Sequence, residues 1–162
     1  MVTLNLAVAA DGYETELSFD LEISDTNFLK RYEWPLNSDP GWTVDGDWEW
    51  GVPQGNNSDP TSGYTGSNVY GYNLAGSYAN YMDETYLTSH AIDCTGLENV
   101  EVRFMRWLGV ESATFDHASF RVSSDGANWT TLWDHTGTSF TDTDWQAMSY
   151  DISSVADGQA AV

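Results

Sequence analysis

Between Trp42 and Val52 the apolar side chains keep a strict period of two. Trp42, Val44, Trp48, Trp50 and Val52 share one parity with Gly46, while Asp45, Asp47 and Glu49 hold the other. Successive side chains of a strand point to opposite faces, so this spacing describes a half-buried β-strand, or two strands joined at Gly46. The amino-terminal stretch obeys the same period. Val2, Leu4, Leu6 and Val8 alternate with Thr3, Asn5 and Ala7, and after the turn signal Asp11-Gly12, Leu17, Phe19, Leu21 and Ile23 alternate with Glu16, Ser18, Asp20 and Glu22. This is the pattern of a β-hairpin with one buried face. Two strands alone are marginal in water, so the hairpin is expected to dock on something.

Turn residues and aromatics dominate after Ser24-Asp25. A short strand is expected at 27–34, a turn-rich connection at 35–41 and a long loop at 53–66, where Pro, Gly, Asn and Ser concentrate. Further strands are expected at 68–74, 85–92, 100–108, 118–123, 129–134 and 145–152, with a turn at 124–128. The stretch 100–108 is apolar or long-chained on both faces, which suggests a central strand. No window shows a convincing helical period. Many short strands separated by turn signals predict an all-β fold, an antiparallel β-sandwich.

The 162 residues suit one domain, or one domain with part of a second. Asp and Glu number 25 against 5 Lys and Arg, a formal net charge of −20. Such a field repels phosphate backbones and anionic membranes, so no nucleic acid is expected as a partner. No apolar run approaches the roughly 18 residues that span a bilayer, so no membrane insertion is expected. With 41% apolar and 14% aromatic residues the chain carries enough apolar surface for a packed core.

Local signatures of catalysis are missing. The single Cys94 excludes a disulfide within the chain and any cysteine-rich metal site. His90, His117 and His135 fit no metalloprotease spacing, there is no nucleophile elbow, and the only lysine, Lys30, belongs to no phosphate-binding loop. The chain is read as not an enzyme. Its start lacks the basic region of a signal peptide, so any signal is expected to lie outside it.

Several stretches carry a resemblance. They are Gly41-Trp42-Thr43-Val44-Asp45-Gly46-Asp47-Trp48-Glu49-Trp50-Gly51-Val52-Pro53, Gly71-Tyr72-Asn73-Leu74-Ala75-Gly76-Ser77-Tyr78, Leu87-Thr88-Ser89-His90-Ala91-Ile92-Asp93, Phe115-Asp116-His117-Ala118, Val122-Ser123-Ser124-Asp125-Gly126-Ala127-Asn128-Trp129 and Asp151-Ile152-Ser153. In this order they resemble the jelly-roll β-sandwich modules of large secreted bacterial proteins, akin to MAM-type, cleaved-adhesin and galactose-binding-like sandwiches. The resemblance implies a jelly roll over 26–162 lacking its final strand. It also implies that the hairpin of 1–25 is the tail of a preceding Ig-like domain, so that the chain is a piece of a longer protein. A secreted or cell-surface bacterial location is implied with it.

Two constellations admit a functional and a structural reading. The Trp42, Trp48 and Trp50 face suits either sugar stacking or a core between sheets, and its strict parity favours the core. Tyr64, Tyr70, Tyr72 and Tyr78, with Tyr81 and Tyr86, are the better candidates for a ligand surface. Asp45, Asp47 and Glu49 either bind calcium, which takes six to eight oxygens, or form a solvated acidic face. The resemblance implies a structural calcium between first and last strands. Glu33 is the matching first-strand acid, Asp116 falls in a loop as a turn residue or metal ligand, and the usual last-strand acidic pair is missing. The metal candidates are therefore Glu33, Asp45, Asp47 and Asp116, with calcium as the cofactor.

These features describe a non-catalytic extracellular module that binds or scaffolds, with a glycan or protein surface and neighbouring domains of a longer chain as partners. A carbohydrate-binding module is the first alternative. The second is a subunit that assembles into a filament by strand donation, a homo-oligomer in which 2–8 fills a sheet edge of a neighbouring copy.

Overall fold

A computed structural model describes the backbone of residues 2–10 and 13–21 and the whole of residues 32–162. The chain forms two compact units, Met1–Tyr32 and Glu33–Val162. In the first, β1 (Val2–Ala10) pairs antiparallel with β2 (Tyr13–Leu21). Val2 stands opposite Leu21, Leu4 opposite Phe19 and Leu6 opposite Leu17. Opposed residues of an antiparallel pair share a face, so the two apolar series run in phase. The expected turn at Asp11-Gly12 lies outside the described residues, as do 27–31 of the strand expected at 27–34; residues 32–34 carry no strand.

The second unit continues with β3 (Thr43–Val44), β4 (Trp48–Gly51), β5 (Val69–Tyr72), β6 (Leu87–Thr88), β7 (Glu101–Arg106), β8 (Gly109–Val110), β9 (Ser119–Val122), β10 (Thr130–Asp134), β11 (Phe140–Thr141), β12 (Gln146–Asp151) and one helical turn, α1 (Ser153–Ala156). The pairs are β3 with β6, β4 with β5, β7 with β12, β8 with β11 and β9 with β10, all antiparallel. The protein is all-β, as its alternation requires. The ladders described are pairs, whereas a jelly roll joins such pairs into two wider sheets.

The alternating stretch 42–52 is two strands joined at Gly46. Before it, the amide of Asp45 extends the β3–β6 ladder by donating to Tyr86 O at 3.0 Å; after it, Asp47 O extends the β4–β5 ladder by accepting from the amide of Asn73 at 2.9 Å. Gly46 sits at φ 59°, and a Cβ there would stand 2.6 Å from Thr85 Cγ2, so the partner switch needs glycine on both counts.

A second irregularity lies between β7–β8 and β11–β12. Register passes from Arg106–Gln146 to Gly109–Thr141, so Trp107 and Leu108 face the longer stretch 142–145. Asp142 fills this bulge. Its amide donates to Leu108 O at 2.9 Å, and its carboxylate accepts from the Leu108 amide at 2.9 Å and from the Arg106 guanidinium at 3.2 and 3.3 Å. The guanidinium carbon stands 5.3 Å from the ring centres of both Trp133 and Phe140, a cation–π contact on each.

The stretch 100–108 is not a central strand: among the described residues β7 has β12 as its ladder partner. Its long side chains explain the difference. Glu101 and Arg103 face solvent, joined to each other at 2.6 Å, while Val102 and Phe104 turn inward. Phe104, Phe120 and Tyr150 then bring the β7–β12 pair onto β9, with ring centres 5.0 to 6.1 Å apart. Beside them Cys94, Val122, Ile152 and Ala156 form the buried cluster, lined by Leu97, Val100, Val102 and Leu132. Cys94, 3% exposed, is thus a small buried hydrophobe. Ile92 and Val162 exchange both backbone hydrogen bonds, at 2.9 and 3.0 Å, which closes the carboxyl-terminal side of this cluster.

Candidate functional site

Aromatic exposure concentrates on the connection 78–86, between β5 and β6, and the loop 111–117, between β8 and β9. Tyr81 is fully exposed, Phe115 is 73% exposed, and Tyr78, Met82 and Tyr86 are also open to solvent. Tyr81 sits at φ 60°, in the left-handed region that non-glycine residues avoid at a cost of order 1–2 kcal/mol. Its ring therefore gains nothing from burial while its backbone carries strain.

Both loops are held from below. In 111–117, the amides of Phe115 and Asp116 turn back onto Ser112 O at 2.8 and 3.1 Å, and Ala113 donates to Gly137 O at 3.0 Å. The ring of buried His135 reaches Glu111 O through Nε2 at 2.7 Å and packs edge-on against Phe140. The phenol of Tyr78 donates to Asp116 Oδ2, which also accepts the Glu111 amide at 3.2 Å. Burial, and then this carboxylate, push the Tyr78 phenol up to about 12.

Glu84 makes the second tie. It accepts from the Tyr86 hydroxyl at 2.7 Å and from Arg121 Nη2, on β9, at 2.7 Å. The Tyr86 hydrogen bond, with the Arg121 charge behind it, holds the Glu84 carboxyl below its usual range. The phenol donors of Tyr78 and Tyr86 and a guanidinium nitrogen of Arg121 are thus spent on carboxylates of these loops. The exposed groups left on the two loops are the rings of Tyr81 and Phe115 and the acids Asp83 and Glu111, beside Asn80, Thr114 and His117.

The residues expected at a site disperse. Tyr78 and Asp116, assigned to different sets by the sequence, meet here. Tyr70 lies half-buried on β5, stacked on Trp42 with centres 5.2 Å apart and planes 5° off parallel. Its hydroxyl donates to Asp39 at 2.6 Å and accepts the Trp42 amide at 3.1 Å. Tyr72 packs edge-on against Trp48 at 5.8 Å, and Tyr64 is 61% exposed on the loop before β5. Trp50 donates through Nε1 to Leu36 O at 3.0 Å. Trp42, Trp48 and Trp50 are half-buried, Trp42 stacked on Tyr70 and Trp48 edge-on to Tyr72.

Among the metal candidates, Asp45 caps the Gly46 amide at 2.8 Å, Asp47 and Glu33 are exposed, and Asp116 is bound as above. Among the described residues no three or more of His, Cys, Asp and Glu gather as a metal would require. Glu33, Asp45, Asp47 and Asp116 do not form such a group. Glu84, Arg121 and Asp39 were not legible as site residues, because no spacing links Glu84 to Arg121, 37 positions apart, or Asp39 to Tyr70, 31 apart. Only the density of tyrosines and acids over 78–86 pointed there.

No family model matches the chain, and no solved structure matches it. Over 93 residues, 55% of this chain, it is 33% identical to Bacillopeptidase F of Bacillus subtilis strain 168. That stretch is 6% of the length of Bacillopeptidase F. Among the described residues no helix is long and apolar enough to cross a membrane.

Proposed function

We propose that this chain is a non-catalytic binding and architectural module of a secreted multidomain bacterial protein, and that the 78–86 and 111–117 loops form its contact face. The observation that carries the proposal is the fully exposed Tyr81 on a strained backbone, together with exposed Phe115 on a loop pinned by His135 and Asp116 and tied through Asp116 to Tyr78. Strain and exposure of a large apolar ring both oppose folding, and such features concentrate where a ligand covers them. The similarity to a short stretch of a far longer bacterial peptidase supports a place within a long chain. The net charge of −20 suits an extracellular medium whose salt screens self-repulsion. The jelly-roll arrangement belongs to the same proposal.

A glycan ligand is the second reading, favoured by the flat, open rings of Tyr81 and Phe115. The experiment pairs a ligand panel of polysaccharides and peptides with turnover assays on peptide, ester and glycoside substrates. The expected outcome is ligand retention that is lost in Tyr81→Ala/Phe115→Ala, without turnover by the intact chain. Turnover that disappears in Asp116→Asn would overturn the proposal.

A further inference from the structure

We infer that the partner of this face is a basic protein segment, whose Arg or Lys side chains lie on the Tyr81 and Phe115 rings among the loop carboxylates. The inference rests on the contact face proposed above and names what it takes.

The argument is one of complementary chemistry. The two loops carry Asp83, Glu84, Glu111 and Asp116. Against them stand His117 on the loop and Arg121 on β9, the latter already committed to Glu84 at 2.7 Å. Tyr78 and Tyr86 have turned their hydroxyl protons onto Asp116 and Glu84, so the phenols offer no free donor to a ligand. Outward stand the carboxylates of Asp83 and Glu111 and the rings of Tyr81 and Phe115, with Asn80, Thr114, His117 and the Tyr81 hydroxyl as neighbouring exposed groups able to donate. A carboxylate only accepts, and guanidinium and ammonium groups only donate, so the fit is to a cation. The exposed rings of Tyr81 and Phe115 supply the quadrupole that attracts such a cation, and the stem of an Arg or Lys covers apolar ring surface that water now meets. The surrounding field points the same way: with a net charge of −20, the whole chain steers cations inward and repels acidic partners.

The test must separate this face from the general field. The probe is a short alternating Arg–Ser peptide, with its Glu–Ser counterpart and a set of neutral oligosaccharides as comparisons, titrated calorimetrically at physiological ionic strength. The proteins are the wild-type chain, Tyr81→Ala/Phe115→Ala, and Glu98→Gln, which removes an exposed charge elsewhere. The first variant alters no charge, and both of its side chains are exposed, so folding is preserved and is verified by near-ultraviolet circular dichroism. Expected are binding of the Arg–Ser peptide alone, a roughly tenfold loss in the aromatic double variant, and wild-type affinity in Glu98→Gln. Equal affinity of the double variant and wild type would mean attraction by net charge only and would overturn the inference. Oligosaccharide binding that the double variant loses, with the Arg–Ser peptide ignored, would overturn the basic partner and leave the binding module standing. Failure of every probe would remove both.

Discussion

The Tyr78 phenol donates to the Asp116 carboxylate across 38 positions of chain, and the same oxygen accepts the Glu111 amide at 3.2 Å. One carboxylate thereby joins the connection after β5 to the loop before β9. The aromatic face depends on this junction, because neither loop contains a strand of its own.

Tyr78→Phe removes the junction's donor and leaves the ring. It is expected to cost about 1 kcal/mol or less, since the hydroxyl is partly exposed, and to speed amide hydrogen exchange over 78–86. Tyr78 also sets an alkaline limit. A phenol whose folded pKa exceeds its unfolded one holds its proton more tightly in the native state, so the stability it contributes is complete below the unfolded value. That stability is lost as pH rises from about 10, the ordinary phenol value, towards about 12. Melting temperature should fall more steeply across this window in wild type than in Tyr78→Phe; parallel curves would disprove the assignment.

Asp142→Ala strips the counter-charge from Arg106 and the acceptor from the Leu108 amide, in a place where the two side chains are only 20% and 10% exposed. Breaking such a pair from one side is expected to cost about 3 kcal/mol. Asp142→Asn keeps an acceptor for Leu108 and should cost less. Urea denaturation of both variants measures this, and an Asp142→Ala midpoint equal to wild type would refute it.

Ile152→Ala opens a cavity beside Cys94, Val122 and Ala156, at an expected cost of about 2–5 kcal/mol. Cys94 reports the same event. At 3% exposure its thiol should resist an aromatic disulfide reagent in the native state and label at the rate of unfolding. Immediate labelling of native protein would contradict the packing.

Asp125 binds the turn between β9 and β10. Its carboxylate accepts from the amides of Asn128 and Ala127 at 2.7 and 2.9 Å, from the Asn128 side chain at 2.6 Å and from Ser123 Oγ at 3.0 Å. These bonds, the Asn128 amide foremost, hold the carboxyl far below the usual range. A depressed native pKa stabilises above the unfolded value, about 4, and that stability is lost as pH falls below it. Acidification also relieves the repulsion of 25 acidic residues, so the informative quantity is the difference between proteins. From about pH 4 downward the wild type is expected to lose its advantage over Asp125→Asn progressively, most of it below about pH 3; a constant gap would count against the turn.

We propose that calcium stabilises the fold, on the excess of 25 acidic residues over 5 basic ones and on the resemblance. The expected outcome is a higher melting temperature in millimolar calcium than in EDTA, by mass action. Coincident curves, with magnesium as reference, would remove it.

The all-β class was legible because a period of two survives in 2–8, 15–23 and 42–52, and Gly46 marked the place where the last of these divides. The turn at Asp125 was legible for the same local reason. The placing of 100–108 as a central strand was not reliable, since long charged chains such as Glu101 and Arg103 reach solvent from positions that composition reads as covered. The tyrosines showed a similar limit. Tyr70 and Tyr72 share a parity on β5 and face Trp50 and Trp48, whereas Tyr78 and Tyr81 lie where no period applies.

What the sequence by itself determined is what local sterics and side-chain alternation encode: strands, the glycine switch at Gly46 and an acidic surface. Which acid serves which partner was decided only by the tertiary structure. Asp116 with Tyr78, Glu84 with Arg121 and Asp142 with Arg106 are separated by 36 to 38 positions. Among 25 Asp and Glu residues the choice follows from which loops the ladders bring within hydrogen-bond reach, about 3 Å, a distance that no spacing along the chain specifies.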